Sequence, residues 1–206
     1  MKRQIAFLSY IAILSCLLTA CQKETGSGGG TNPPAIEKPK PGTAWTYSYY
    51  TFNSDGSLHT TETVVYKAKT QETIGGETWL KVVNNANDTL VYYLKQKADG
   101  LYQYANNASN LFCKYPAALN EAYTSYNAKG VEDFVVKGVN DILPTNIGDI
   151  KVNYYEGTKV IGVPAIIDNI WFNDNAWIVR HIVYRKNLLS GVYYKYSSLF
   201  IQSIVY

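Results

Sequence analysis

Three cysteines, two histidines and one methionine in 206 residues leave little material for metal or thiol chemistry. A structural zinc site needs four nitrogen or sulfur ligands. Cys16, Cys21 and Cys113 are scattered, and His59 and His181 lie far apart in the chain. No His-Glu-x-x-His pair, no Gly-x-Ser-x-Gly elbow and no phosphate-cradling Gly-Lys-Ser loop occurs, so the common zinc-protease, serine-hydrolase and nucleotide-binding signatures are missing. Charge is sparse too, at 17% Asp, Glu, Lys and Arg. A formal net charge of +3 gives no broad electrostatic case for nucleic acid. Long helical periodicity is also lacking. What the chain has in quantity is tyrosine, 19 residues against 6 Phe.

The one long apolar run is at the N-terminus. Lys2 and Arg3 precede Ile5 to Leu18, and Leu18-Thr19-Ala20-Cys21 closes the run. A positive start, an apolar middle and small residues at the end make a secretory signal. A membrane-spanning helix needs about 20 apolar residues. This stretch is shorter and is interrupted by Ser9, Tyr10 and Ser15. The pattern resembles a bacterial lipoprotein signal peptide, which implies cleavage between Ala20 and Cys21 and a diacylglyceryl thioether on Cys21. No other cofactor is expected. One acyl chain binds a bilayer only marginally, and two or three hold it. The chain therefore divides into a signal peptide at 1–20, a lipidated tether at 21–41 and one domain at 42–206.

Removing residues 1–20 takes away Lys2 and Arg3 and no acid, which turns 19 basic against 16 acidic residues into 17 against 16. The mature domain is nearly neutral. Cys113 then stands alone and reads as a small buried hydrophobe. In the tether, Gly26-Ser27-Gly28-Gly29-Gly30 is a flexible linker, stiffened later by Pro33, Pro34, Pro39 and Pro41. Lys23-Glu24 is reminiscent of the short charged export signals of Bacteroides-type surface lipoproteins. The expected location is the outer membrane, lipid-anchored, facing either the cell surface or the periplasm.

From Gly42 onward the pattern has a period of two. Trp45, Tyr47 and Tyr49 alternate with Thr46 and Ser48. Asn53-Ser54-Asp55-Gly56, Ile74-Gly75-Gly76-Glu77 and Asp99-Gly100 are turn signals. Trp177 to Arg185 and Val192 to Tyr206 read as a closing hairpin. Pro116 to Tyr126 is the least strand-like stretch, either a helical turn or a loop. The expectation is an all-β antiparallel meander of roughly ten strands. It would be curved into a half-barrel or open barrel, with a β-sandwich as the alternative.

Pro41-Gly42-Thr43-Ala44-Trp45-Thr46-Tyr47, Ile74 to Trp79, Asp99 to Tyr102, Lys114-Tyr115-Pro116 and the final pair of strands follow one another in a telling order. This order resembles a group of Bacteroides-type envelope lipoproteins of poorly defined function. The resemblance implies a strongly curved antiparallel sheet similar to the LolA and LolB lipoprotein carriers, whose concave apolar face takes up acyl chains. It supplies no catalytic residue.

Residue chemistry offers a few sites. Trp171, Phe172 and Trp177 lie beside Asp168-Asn169 and Asn173-Asp174-Asn175. Rings that meet C–H groups, with amides that meet hydroxyls, are how proteins hold sugars. The same composition also suits a hairpin loop, or oxygen ligands for calcium. Tyr194 and Tyr196 share a face by alternation, with Tyr193 on the other. Glu132, Asp133, Asp141, Asp149 and Asp168 are the carboxylates from which a glycosidase pair could be drawn. Asp88-Thr89-Leu90 looks like a short bacterial O-glycosylation acceptor at Thr89. Asn87 and Asn107 sit in eukaryotic sequons that carry no meaning in a bacterium.

The expected function is a non-enzymatic envelope lipoprotein that binds an apolar chain or a glycan, with Trp171, Trp177, Tyr194 and Tyr196 as ligand contacts. The alternatives are a structural or adhesive protein acting through a strand edge, its protein partner unspecified, and a carboxylate hydrolase. The anchor is tested directly by the intact mass of the chain extracted from membranes. It should begin at Cys21 and carry at least two acyl chains. A Cys21→Ala variant should lose the acyl mass and leave the membrane once its leader is clipped.

Overall fold

The computed structural model describes residues 36–127, 130–159 and 165–206. The signal peptide, Ala20, Cys21 and the tether up to residue 35 lie outside the described residues. Residues 35–206 form a single compact unit. Its described residues are all strands and connections, in the order β1 (Ala44–Phe52), β2 (Leu58–Ile74), β3 (Glu77–Asn84), β4 (Leu90–Lys97), β5 (Gly100–Ala105), β6 (Ala108–Lys114), β7 (Ala122–Asn127), β8 (Gly130–Thr145), β9 (Gly148–Lys159), β10 (Ile166–Asn173), β11 (Trp177–Lys186) and β12 (Tyr193–Val205).

These twelve strands make one antiparallel sheet, ordered β6-β5-β4-β3-β2-β1-β12-β11-β10-β9-β8-β7. Sequence neighbours pair throughout except β6 and β7, and β1 also pairs with β12, Ala44 opposite Val205 and Trp45 opposite Ile204. The sheet rolls until its two edges, β6 and β7, approach each other. The meander is thus a nearly closed barrel and not a half-barrel. There are also more strands than the pattern suggests. β7 lies within the stretch that reads as least strand-like, with Tyr123 stacked on Phe134 of β8 at 5.3 Å and 12°. β10 reads as an Asn- and Asp-rich loop by composition. It is a strand because Asp168 and the core residues Ile170 and Phe172 alternate on its inner face. The expected turns at Asn53–Gly56, Gly75-Gly76 and Asp99-Gly100 all join strands, and Asn187–Gly191 joins the two strands of the closing hairpin.

The interior is filled by alternate residues. Trp45, Tyr47, Leu80, Val82, Leu101, Phe134, Val136, Ile150, Tyr155, Phe172 and Ile201 belong to one continuous buried cluster. Gly157 has a specific reason. Its β-carbon would come within 2.3 Å of the Phe134 ring, so the glycine leaves room for that ring. Cys113 is fully buried and free, and burial pushes its thiol well above the ordinary range. The last part of the expected tether is also tied down. Ile36 packs against the core, the Gly42 amide donates to Ala68 O, and the Lys40 amide donates to the Thr43 hydroxyl.

The seam is closed by side chains. The Tyr123 hydroxyl of β7 donates to the Phe112 carbonyl of β6 at 3.0 Å, and the Tyr155 hydroxyl of β9 donates to the Lys114 carbonyl. Lys114 and Glu121 form an ion pair at 2.8 Å across the β6–β7 link. The Lys114 ammonium holds the Glu121 carboxyl below its usual range. Beyond Val136, β8 has no partner on its outer side among the described residues. Two register shifts and Pro144 interrupt it there, devices that blunt an edge against further pairing.

Across the interior, Trp45 stacks on Trp177 at 5.5 Å and 19°. The Trp45 indole N–H donates to Ala176 O at 3.0 Å, and the Tyr47 hydroxyl donates to Ile178 O at 2.9 Å. Trp45→Phe keeps a ring but leaves the Ala176 carbonyl unpaired, and should cost about 1–3 kcal/mol in urea unfolding. No loss would show that the cross-barrel bond is dispensable. Cys113 should stay unreactive to Ellman's reagent in the native chain and titrate fully in denaturant. Rapid native labelling would place it at the surface.

Candidate functional site

The barrel offers three places where side-chain chemistry converges: an inner cavity, the outer wall over β9–β12, and one mouth.

The inner cavity is about 30 Å³ and is bordered by Trp45, Tyr47, Tyr66, Tyr92, Trp177 and His181. A buried water needs roughly 10–15 Å³ on this measure, so the space suits a water or two and has no room for an acyl chain. His181 Nε2 lies 3.0 Å from Asp168 Oδ1, with both side chains largely buried. Burial pushes the Tyr92 phenol far up, with smaller contributions from Tyr66 and from the Asp168 charge. Burial does the same to Tyr47, helped by Tyr66 and Tyr92. These phenols stay neutral and act as hydrogen-bonding walls. Of the other carboxylates, Glu132 is also buried. Asp133 accepts from the Thr124 hydroxyl at 2.7 Å. Asp141 and Asp149 lie along the β8–β9 ladder, opposite Val152 and Pro144.

The expected aromatic contacts are separated by the barrel wall. Trp177 is inside, stacked on Trp45, with φ +64°. Trp171 is outside, between the core residues Ile170 and Phe172. Trp171 pairs with Tyr154 of β9 on one side and with Arg180 of β11 on the other. Tyr154 stacks on it at 4.6 Å and 10°, and the Arg180 guanidinium covers it at 4.9 Å. Both ring faces are occupied, so Trp171 has none free for a sugar. Tyr194 pairs opposite Arg185, and the Arg185 guanidinium sits 3.3 Å from the centre of the Tyr196 ring. A register shift opposite Val183 and Tyr184 leaves Tyr196 as the extra residue of β12. This bulge breaks the alternation expected to carry Tyr194 and Tyr196 on one face. Thr89 is exposed in the β3–β4 turn, where its amide donates to Asn87 Oδ1.

The mouth lies between β8, β9, the β10–β11 turn and the β6–β7 link. A pocket of about 180 Å³ there is bordered by Tyr115, Asn140, Lys151, Asn153, Phe172 and Asp174. Its floor is aromatic, with Tyr115 meeting Phe172 edge-on at 6.0 Å. Its rim is amide and charge. Asn153, nearly buried, accepts from the Asn140 amide at 3.0 Å. Asn140 adopts φ +57° in the β8 bulge. At Gly138 in the same bulge, a β-carbon would meet the Asp141 carboxylate, which would have to turn aside. In the neighbouring turn, Asn173 Oδ1 accepts from the amides of Asn175 and Ala176 at 2.9 and 2.8 Å. Of the oxygen cluster expected there, Asn173 is thus engaged in shaping the hairpin, and Asp168 faces His181 instead. No cluster of three or more His, Cys, Asp or Glu able to hold a metal is found among the described residues.

Sequence reasoning located Phe172 and Asp174 in an aromatic and amide segment. It missed Tyr115, Asn140, Lys151 and Asn153, which come from three other elements. Gly138-Val139-Asn140 was the one local signal, since glycine followed by asparagine inside a strand marks a bulge.

No protein-family model and no curated protein matches this chain. A crystal structure of a Bacteroides fragilis protein with a YmcC-like fold, thought to be exported, is similar in shape. Its TM-score is 0.47 and its identity 13%, over 83% of this chain and 99% of that one. These findings supply no LolA- or LolB-type relative.

Proposed function

We propose that this chain is a lipid-anchored outer-membrane protein that binds, without catalysis, a short hydroxyl-rich ligand of the glycan class at the barrel mouth. The single observation that carries this reading is the pocket at the mouth. It combines an aromatic floor, Tyr115 and Phe172, with a rim of Asn140, Asn153, Lys151 and Asp174. Such a surface offers the half-buried Tyr115 ring, backed by Phe172, to C–H groups and both donors and acceptors to hydroxyls. The apolar-chain alternative is disfavoured by the inner cavity beside Trp45 and Trp177, which has only about 30 Å³ open. Strand-edge adhesion is disfavoured by an edge whose Phe112 and Lys114 carbonyls are already accepting bonds.

The test is calorimetric titration of the full chain in detergent with neutral hexasaccharides of glucose, mannose and xylose. At least one should bind. Asn140→Gly, which keeps the left-handed backbone, and Asp174→Ala should each weaken that binding about fivefold, the loss expected for one hydrogen bond. If none of the three binds at millimolar concentration, or if both variants bind as the parent does, the mouth is not a glycan site.

A further inference from the structure

A second site lies on the outer wall, away from the mouth. The strands β1, β12 and β11 are neighbours in the sheet, and their sequences contain no Asp or Glu. Over them runs a groove of about 360 Å³, open to solvent on its outer side and bordered by Tyr50, Phe52, Arg180, Lys195, Ser198 and Phe200. It shares no residue with the mouth pocket.

The two cations in this groove are held by rings. The Arg180 guanidinium lies 4.9 Å from Trp171 and 6.0 Å from Phe200. These aromatic neighbours belong to β10 and β12, on either side of β11. The Lys195 ammonium lies 5.1 Å from Phe52. Among the described residues neither cation has an ion pair. On the wall formed by β2–β5 the arrangement is different: Lys81 pairs with Glu72 at 2.9 Å, and Lys97 pairs with Glu77 at 2.9 Å. A guanidinium whose neighbours are rings and not carboxylates keeps N–H donors free of an ion pair. Such donors recognise a carboxylate or sulfate in a bidentate manner.

We infer that the acid-free groove of Tyr50, Phe52, Arg180, Lys195, Ser198 and Phe200 binds an acidic saccharide lying along the outer wall. Its anionic groups would meet Arg180 and Lys195, its hydroxyls would meet Ser198 and Tyr50, and its C–H face would meet Phe200 and Phe52. Positive charge without a protein counter-ion is complementary to such a chain. A groove open along one side suits a polymer segment better than an enclosed small molecule. The site is independent of the neutral ligand proposed at the mouth.

The probe is a galacturonic acid hexamer, titrated into the full chain in detergent at low salt. The control is the same hexamer fully methyl-esterified, which keeps the sugar rings and removes the charges. The acid should bind and the ester should not, and binding should weaken as salt rises. Arg180→Gln and Lys195→Gln should each weaken binding about tenfold, the loss of one charge-assisted hydrogen bond. Both variants should keep the parent's near-ultraviolet circular dichroism and melting temperature. Asp174→Ala, in the mouth pocket, should bind the acidic hexamer unchanged, which separates failure of this site from failure of the other. The inference is overturned by equal binding of acid and ester, or by no binding of the acid. It is also overturned if the double variant binds as the parent does. Loss, in the double variant, of binding to phosphatidylglycerol vesicles without any saccharide binding would likewise overturn it, in favour of a lipid surface.

Discussion

The stack of Trp45 on Trp177 is the contact on which the arrangement of this barrel rests. β1 and β11 are not neighbours, because β12 lies between them. The two indoles and the bonds from Trp45 and Tyr47 to Ala176 O and Ile178 O reach across β12 from inside. They fix the start of β11 to the start of β1. Trp177 pays for its place with a left-handed backbone, φ +64°, which costs a bulky residue roughly 1–2 kcal/mol. Stacking of buried rings returns about 0.5–1.5 kcal/mol beyond area burial, and two hydrogen bonds add to it. The turn before Trp177 is thereby held in one geometry. That turn carries Asn173 and Asp174, so the core stack also sets one wall of the mouth pocket.

The barrel's other constraint is that its ends do not share a ladder. A twelve-stranded meander leaves β6 and β7 as edges, and free edges invite pairing with other chains. Tyrosine meets this need better than phenylalanine would. Its ring fills the interior and its hydroxyl reaches a carbonyl on the facing edge, as Tyr123 and Tyr155 do for Phe112 and Lys114. Two of the chain's 19 tyrosines are used in this way. Burial pushes the Tyr123 and Tyr155 phenols up, so the donors stay protonated across the range in which the protein would work. The adjoining Lys114–Glu121 pair behaves differently. Its carboxyl is depressed, so its contribution is present above the ordinary glutamate range and is lost as acid protonates it.

The architecture was largely legible in the sequence because a period of two and paired-glycine turns are local. Trp45, Tyr47 and Tyr49 announced β1, and Gly75-Gly76 announced the β2–β3 hairpin. The two strands that escaped, β7 and β10, each carry a buried polar residue, Ser125 and Asp168, within segments rich in turn-forming residues, whereas Gln103, Glu132, Asn153 and Ser197 are buried on strands whose alternation is stronger. Polar strands look like loops until the groups they face are known. Closure escaped for a related reason. Nothing in the local pattern distinguishes a half-barrel from one whose edges meet through two tyrosine hydroxyls. The site residues fared worse. Trp171 and Trp177 are six positions apart, and the bulge that shifts register between Trp171 and Phe172, together with the turn at 174–176, places them on opposite sides of the wall. The groups at the mouth come from β8, β9 and the β6–β7 link, whose proximity is a property of the closed sheet.

The two halves of the outer surface use charge in opposite ways, and this bears on what the barrel is for. Over β2–β5, lysines are matched by glutamates whose carboxyls are held below their ordinary range, Glu72 by bonds from Lys81 and Tyr93, and Glu77 by Lys97. That wall is neutralised internally and presents little field. Over β1, β12 and β11 there is no acid to match the cations, and aromatic rings hold them instead. A cation on a ring face is partly stabilised yet keeps its donors and its field. If solubility alone were the requirement, surface acids on these three strands would supply it at little cost, as they do over the adjoining β2–β5. Their absence from three consecutive sheet neighbours, next to a groove lined by Tyr50, Phe52 and Phe200, is what a surface that meets an external anion requires.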